Sequence, residues 1–405
     1  MCANRSNHVR DKDWLERGVL FLVFGLALLY WPSILPAEFQ RTENGGAESF
    51  EQLADGASAA LAANRIPEAI HLYQRATAVR PSWSEGWWYL GTLFFDSSQF
   101  SSARAAFEHF VSVERKQPGP GLGMLGLTEF RLNEYRNALT ALERGRELGL
   151  GDNADFVQTA LYHDGILNNF FGKPEIALVR LTLVANRIAA THPEGSKDAV
   201  LADTELLDAL GLAALRIRKL PSEAPAERSG LIRRAGHAQA LIALQDRVAA
   251  GAELKQLVAA YPSESGVHYF YGVYLLKEDH SSAIEEFRRE IAVSPKHAAA
   301  RIQLALEFLS SADYKQGLKY AQEAVALAPD DFVAHVACGK LWLQLGNSDR
   351  AVGELQTAVR LSPGSPDVHF ALSRALSTAG RSREAAQQRT EFERLKALAG
   401  AADHD

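Results

Sequence analysis

Apolar and polar positions follow a helical period through most of this chain, and the pattern restarts at fixed intervals. The segments SSAIEEFRREIAVSP, YKQGLKYAQEAVALAP and SDRAVGELQTAVRLSP carry apolar residues three and four apart. They end in Pro295, Pro329 and Pro363, which lie 34 residues apart, and IPEAIHLYQRATAVRP ends the same way at Pro81. Another apolar-periodic stretch with a small residue at a fixed offset precedes such segments, as in WWYLGTLFF around Gly91 and AHVACGKLWLQLG around Gly339. Spacing of three and four predicts α-helix. Proline ends each second helix, because it cannot continue one and disfavours helix in the residue before it. The prediction is a series of helix pairs. A pair cannot bury its apolar stripe alone, so successive pairs must stack and share a core.

The residues at these positions resemble the tetratricopeptide repeat family, whose pattern is Trp-x2-Leu-Gly-x2-Tyr, then Ala-x3-Phe-x2-Ala, then Pro. One unit gives Trp87, Leu90, Gly91, Phe94, Ala103 and Phe107, with Phe110 replacing the last Ala. Others give Leu53, Ala57, Ala60, Ala69, Tyr73, Ala76 and Pro81, or Cys338, Gly339, Trp342, Ala351, Leu355, Ala358 and Pro363. The resemblance implies an all-α fold, a right-handed superhelical solenoid of antiparallel helix pairs. Nine units start near residues 50, 84, 119, 158, 204, 264, 298, 332 and 366. Four fill residues 50–184, an irregular unit fills 185–262, and four more with a charge-dense capping helix fill 263–399, before a short tail at 400–405. The Pro-rich run RIRKLPSEAPAERSG at 216–230 is expected to be a surface loop splitting one pair. Gly91, Gly126, Gly165, Gly211 and Gly339 are the expected close-approach positions on first helices, with Ala103 and Ala351 opposite them and Trp87 on the packed face.

The same resemblance implies a protein or peptide partner, held on the surface that first helices line. Its groove residues would be Trp88, Phe95, Phe130, Tyr162 and Tyr269, with Lys340 and Arg374 further along. Trp88 and Phe95 are seven residues apart, two turns on one helical face. The clamp that some family members use for acidic C-terminal peptides needs paired cations on first helices. The matching positions here are Ala54, Ser58, Trp88, Thr92, Gly123 and Leu127, an uncharged set, so an acidic tail is a poor ligand.

Ahead of the repeats, VLFLVFGLALLYWPSIL at 19–35 is apolar all round. As a helix its length is roughly 26 Å, slightly short of a ~30 Å hydrocarbon core. Arg5, Arg10, Lys12 and Arg17 precede it, and Arg41 alone follows within the next 17 residues. That bias leaves the N-terminus in the cytoplasm and sends the rest outward. Residues 1–37 are then a signal peptide cut after Ala37, or a retained membrane anchor with Trp14 and Tyr30-Trp31 at the interfaces; 38–49 is a linker. Either way the repeats are expected in an extracytoplasmic compartment, the periplasm or envelope of a bacterium.

Composition removes other classes. With 43 basic and 49 acidic residues the net charge is −6, the wrong sign for nucleic-acid binding. Two cysteines exclude a disulfide framework or a Cys-based metal site. Gly121-Leu-Gly123-Met-Leu-Gly126 fits a dinucleotide fingerprint, but Pro118-Gly-Pro120 rather than a strand precedes it, and that motif needs a strand–turn–helix context. His268, His335 and His369 fall one per repeat, and satisfied or solvent-facing side chains are expected rather than metal ligands. No nucleophile elbow, phosphate loop or kinase motif is present. The expectation is a non-enzymatic scaffold without cofactor or metal, binding a partner segment in an apolar groove. A structural subunit of an envelope assembly is the alternative, and an enzyme with a site in 185–262 a remote one.

Overall fold

The computed structural model describes residues 48–192 and 195–402. The expected signal peptide or anchor, nearly all of the linker, and the last three residues of the tail lie outside the described residues. Among the described residues there are helices and no strands: α1 (Phe50–Ala62), α2 (Ile66–Val79), α3 (Ser84–Asp96), α4 (Phe100–Val113), α5 (Gly119–Arg131), α6 (Tyr135–Glu147), α7 (Ala154–Phe170), α8 (Pro174–Thr191), α9 (Ser196–Ala202), α10 (Thr204–Ala214), α11 (Ser229–Ala243), α12 (Arg247–Ala260), α13 (Val267–Leu275), α14 (His280–Val293), α15 (Ala298–Ser310), α16 (Tyr314–Leu327), α17 (Phe332–Gln344), α18 (Ser348–Leu361), α19 (Pro366–Thr378) and α20 (Ser382–Ala402). The helices pack in consecutive pairs. The chain divides into two units, residues 1–229 and 230–405.

One turn recurs inside the pairs. Most first helices, α13 excepted, are followed two residues on by a residue with left-handed backbone: Asn64, Ser98, Asn133, Gln245 and Ala312, and Gly172, Gly346 and Gly380. The following amide reaches back to a carbonyl five residues earlier, as Gln99 N to Phe94 O and Asn347 N to Trp342 O. That bond satisfies a helix-end carbonyl and turns the chain into the second helix. Asp246, Asp279, Asp313 and Asn347 then cap the second helix with a side-chain oxygen.

Inside the pairs the small residues sit where large ones would collide. A Cβ on Gly91 would lie 2.5 Å from the Phe107 ring, one on Gly126 2.7 Å from Leu142, and one on Gly339 2.6 Å from Leu355. Gly165 is held the same way against Leu181, Gly211 is buried in α10, and Ala103 and Ala351 are fully buried. The three glycines of the fingerprint-like run lie in α5, and Gly121 and Gly123 abut the Phe110 and Phe156 rings. Side chains occupy the space a dinucleotide would need.

The stretch 185–262 differs from its expected form. Helix α10 ends as first helices do, with Arg216 left-handed and Ile217 N bonded to Leu212 O. No second helix follows it. Two short 3-10 turns, Pro221–Glu223 and Ala226–Arg228, take its place. Then α11 ends in the same turn at Gln245 and pairs with α12, where Arg234 bridges to Glu253 at 3.0 Å. The insertion therefore replaces a second helix rather than splitting a pair. Nor is it only surface: Leu220 is 2% exposed. Leu220 is an isolated apolar residue among charged ones, which hides its burial from periodicity.

Candidate functional site

The first unit contains a cavity of about 470 Å³. Its walls come from the C-terminal end of α5, one face of α7, the N-terminal end of α10 and the insertion. Local chemistry positions each wall. Asp203 caps α10 by accepting from Leu206 N at 3.0 Å, and its burial raises the carboxyl pKa above the usual range. Asn169 of α7 donates to the Ile217 carbonyl at 2.8 Å, and Arg216 pairs with Glu175 of α8. These contacts hold the insertion against the pair it follows. Behind the cavity, buried Asp164 of α7 meets Arg146 and Arg180, each at 3.2 Å, and accepts from Asn168 at 2.5 Å. A buried carboxylate is stable only when paired in this way.

The lining combines rings and acceptors. Phe130 and Tyr162 are half-buried and both touch His163, with ring centroids 4.6 and 5.5 Å away. His163 is 8% exposed. Its Nδ1 donates to the Thr159 carbonyl at 2.8 Å. Burial pushes its pKa down to about 4, so the ring is neutral at pH 7. Asp203, Glu205 and Asp208 line one wall and Arg131 another. The Arg131 guanidinium lies over the Phe100 ring, 4.5 Å from its centroid.

Of the five expected groove residues, the structure brings Phe130 and Tyr162 together here. Trp88 is half-buried on α3, with its ring edge-on to Phe107 at 6.0 Å and tilted on Phe110 at 5.4 Å. The other two are corrected. Phe95 is 5% exposed and packs on Phe100. Tyr269 is 7% exposed, between Phe287 and His297. Neither is displayed. A face assigned by counting turns on one helix takes no account of the next helix, which covers both. Trp87 also differs, being half-buried: it stacks on His109 and donates Nε1–H to the Pro81 carbonyl at 2.8 Å. The expected positions Lys340 and Arg374 belong to the second unit, away from any described cavity.

That Trp87 bond belongs to a set. The residue six places after the repeat-ending proline binds the proline carbonyl from Nε2 of His268, His335 and His369, each at 2.9 Å. The Nδ1 atoms face Glu286, Glu354 and Gln388 of the second helix at 2.6, 2.7 and 2.7 Å. Both nitrogens of each ring are engaged by protein, so these histidines fasten linker to pair. Among the described residues no group of three or more His, Cys, Asp or Glu is placed to hold a metal, and no helix is long and apolar enough to cross a membrane.

Sequence reasoning missed His163 and the acids of α10. His163 had no partner in sequence that would mark it, and the acids looked like an ordinary capped helix start. Their meeting depends on the insertion closing the cavity.

Comparison with known proteins agrees with this repeat geometry. The tetratricopeptide repeat family model matches residues 55–119, 302–366 and 339–388. Among solved structures, MamA from Desulfovibrio magneticus RS-1, from its residue 41 to its end, is 21% identical; the match covers 42% of this chain and 96% of that one, with a TM-score of 0.38. YrrB, described as a TPR protein with an unusual peptide-binding site, is 18% identical over 43% of this chain and 90% of that one, with a TM-score of 0.37. No curated protein matches the chain. With helix pairs, intra-pair turns and packed small residues recurring along it, the chain carries tetratricopeptide repeats over residues 55–119 and 302–388, where the family pattern is matched.

Proposed function

We propose that this protein is a non-enzymatic scaffold that holds a segment of a partner protein in the first unit, along its first helices. Tetratricopeptide repeats support a protein-interaction role in general. The observation that carries the specific reading is the cavity itself, where half-buried Phe130 and Tyr162 stand between three first helices. Partly exposed aromatic side chains in a concavity are the usual anchors of a protein interface. The compartment belongs to the same proposal: the basic-then-apolar N-terminus supports export to the cell envelope, by cleavage or anchoring.

A photocrosslinking residue at position 162, with another at 88, tests the groove in cells expressing the full chain. Position 248 on α12, where Val248 is 87% exposed, serves as the control. One protein captured from 162 and not from 248 is the expected result. Equal capture from both sites removes the groove. A second reading, a structural subunit of an envelope assembly, has one observation in its favour. Ile176, Val179 and Leu183 form an exposed apolar stripe on α8, a second helix. Loss of co-purifying protein in Val179→Arg with Leu183→Arg, but not in Phe130→Ala with Tyr162→Ala, would select that reading.

A further inference from the structure

We propose that the cavity of the first unit receives an aromatic side chain bearing one uncharged hydrogen-bond donor, tryptophan or tyrosine, from the partner segment, its ring against Phe130 and Tyr162 and its N–H or O–H on Nε2 of His163. The proposal rests on the scaffold reading above and names what that site selects.

His163 sets the polar requirement. Its Nδ1 lies 2.8 Å from the Thr159 carbonyl. A carbonyl only accepts, so Nδ1 carries the proton. Burial, and after it the charge of Arg131, holds the ring neutral at pH 7. Nε2 is then a bare lone pair, which accepts and cannot donate. Among the described residues it has no hydrogen-bond partner, though the side chain is more than nine-tenths buried and lines the cavity. The rest of the wall sets the apolar requirement. Ile166, Leu206 and Leu220 line it and are themselves buried. Phe130 and Tyr162 set their rings against His163, and a further ring among them gains more than its buried area alone. The charged groups of the wall are already engaged. Asp203 is spent as the cap of α10, and Arg131, Glu205 and Asp208 each interact within the chain. A charged ligand would lose its water there and meet no waiting partner. A purely apolar side chain would fill the space and leave Nε2 buried and unpaired, at the full cost of its desolvation. Tryptophan and tyrosine combine a large ring with one uncharged donor at its edge, and a buried one needs an acceptor for that donor. The volume of about 470 Å³ is that of a small-ligand site and admits either ring.

The test measures fluorescence anisotropy of fluorescein-labelled decapeptides with the full chain. The peptides are identical serine-, glycine- and alanine-rich sequences with one central tryptophan, 1-methyltryptophan, tyrosine, phenylalanine or arginine. Within the pairs tryptophan and 1-methyltryptophan, and tyrosine and phenylalanine, the ring is kept and the donor is lost. In at least one pair the peptide with the donor should bind about tenfold tighter. His163→Phe keeps a ring and removes the acceptor, and should abolish that preference. His71→Phe makes the same change at an exposed position of α2 and should leave it intact. If His163→Phe melts lower than the parent chain, the two peptide pairs on the parent decide. Equal binding within both pairs overturns the proposal, and so does an arginine peptide that binds tighter than the tryptophan and tyrosine ones. A preference that both variants lose alike overturns it too. Free indole displacing the tryptophan peptide at comparable affinity shows a small-molecule site instead of a peptide one, with the same consequence. If no peptide binds while position 162 still crosslinks its partner, the aromatic assignment falls and the scaffold reading stands. Loss of the crosslink as well removes both.

Discussion

Gly91 and Ala312 show how single positions carry the repeat. Gly91 faces the Phe107 ring so closely that even a methyl group has no room. Gly91→Val should therefore lower stability by about 2–3 kcal/mol through overpacking, read as an earlier urea midpoint at constant slope. Ala312 does the opposite service poorly. It holds the intra-pair turn at φ 61°, where a Cβ is strained and five other units use Asn or Gly, namely Asn64, Asn133, Gly172, Gly346 and Gly380. Ala312→Gly should stabilise by about 0.5–1 kcal/mol, the relief of strain exceeding the added flexibility of the unfolded chain. A later urea midpoint confirms that sign, and an earlier one shows the turn to be unstrained. Phe95 belongs to the same scale. Its burial makes it a packing residue, so its truncation should act on melting temperature and not on partner capture.

At the scale of the element, the fastening between linker and pair gives a pH-dependent prediction. Both ring nitrogens of His268 face acceptors, the Glu286 carboxylate and the Pro262 carbonyl, so the doubly protonated ring is favoured. The Glu286 hydrogen bond is the main cause, and the pKa is raised above its ordinary 6.5. The folded value exceeds the unfolded one. The stabilisation is then complete below pH 6.5 and is lost as pH rises through the folded value. His268→Gln should destabilise by about 1–2 kcal/mol at pH 6 and by clearly less at pH 9. A gap between parent and variant that is constant from pH 6 to pH 9 contradicts the assignment. A second prediction concerns α20, most of which is exposed on its outer side. Leu372, Ala375 and Leu376 are buried in a cluster that includes Ala385 of that helix. A chain ending at Arg381 should melt several degrees lower and bind a hydrophobic dye, because a solenoid end needs a polar cover. An unchanged melt would mean that α19 caps the array unaided.

For the whole molecule, the stacking of pairs and the N-terminal segment set behaviour. Each pair leans chiefly on its neighbours, so stability is a sum of local terms and unfolding need not be two-state. Where the chain sits is proposed from charge alone: four basic residues before the apolar run and Arg41 after it. A reporter active only outside the cytoplasm, fused after residue 60, should be active. Activity there of a reporter confined to the cytoplasm contradicts export. N-terminal sequencing of the mature protein then separates cleavage after Ala37 from a retained anchor.

Much of this was legible in the residues before any coordinates. Periodicity with prolines 34 apart determined helix pairs, because burial of an apolar stripe and the geometry of proline are local matters. Small residues at a fixed offset determined where the helices of a pair approach. Exposure was not local. Whether Phe95 or Tyr269 reaches solvent depends on the helix that lies over it, and a turn count on one helix carries no record of that neighbour. The insertion is the clearest case. Its composition marks a break in the repeat, yet only the folded chain puts Leu220 into the packing and carries Pro221 and Ser222 to the cavity. The candidate site exists because residues from 130 to 222 converge there. Their separation in sequence is set by the repeat, and their meeting by the second helix that the insertion replaced.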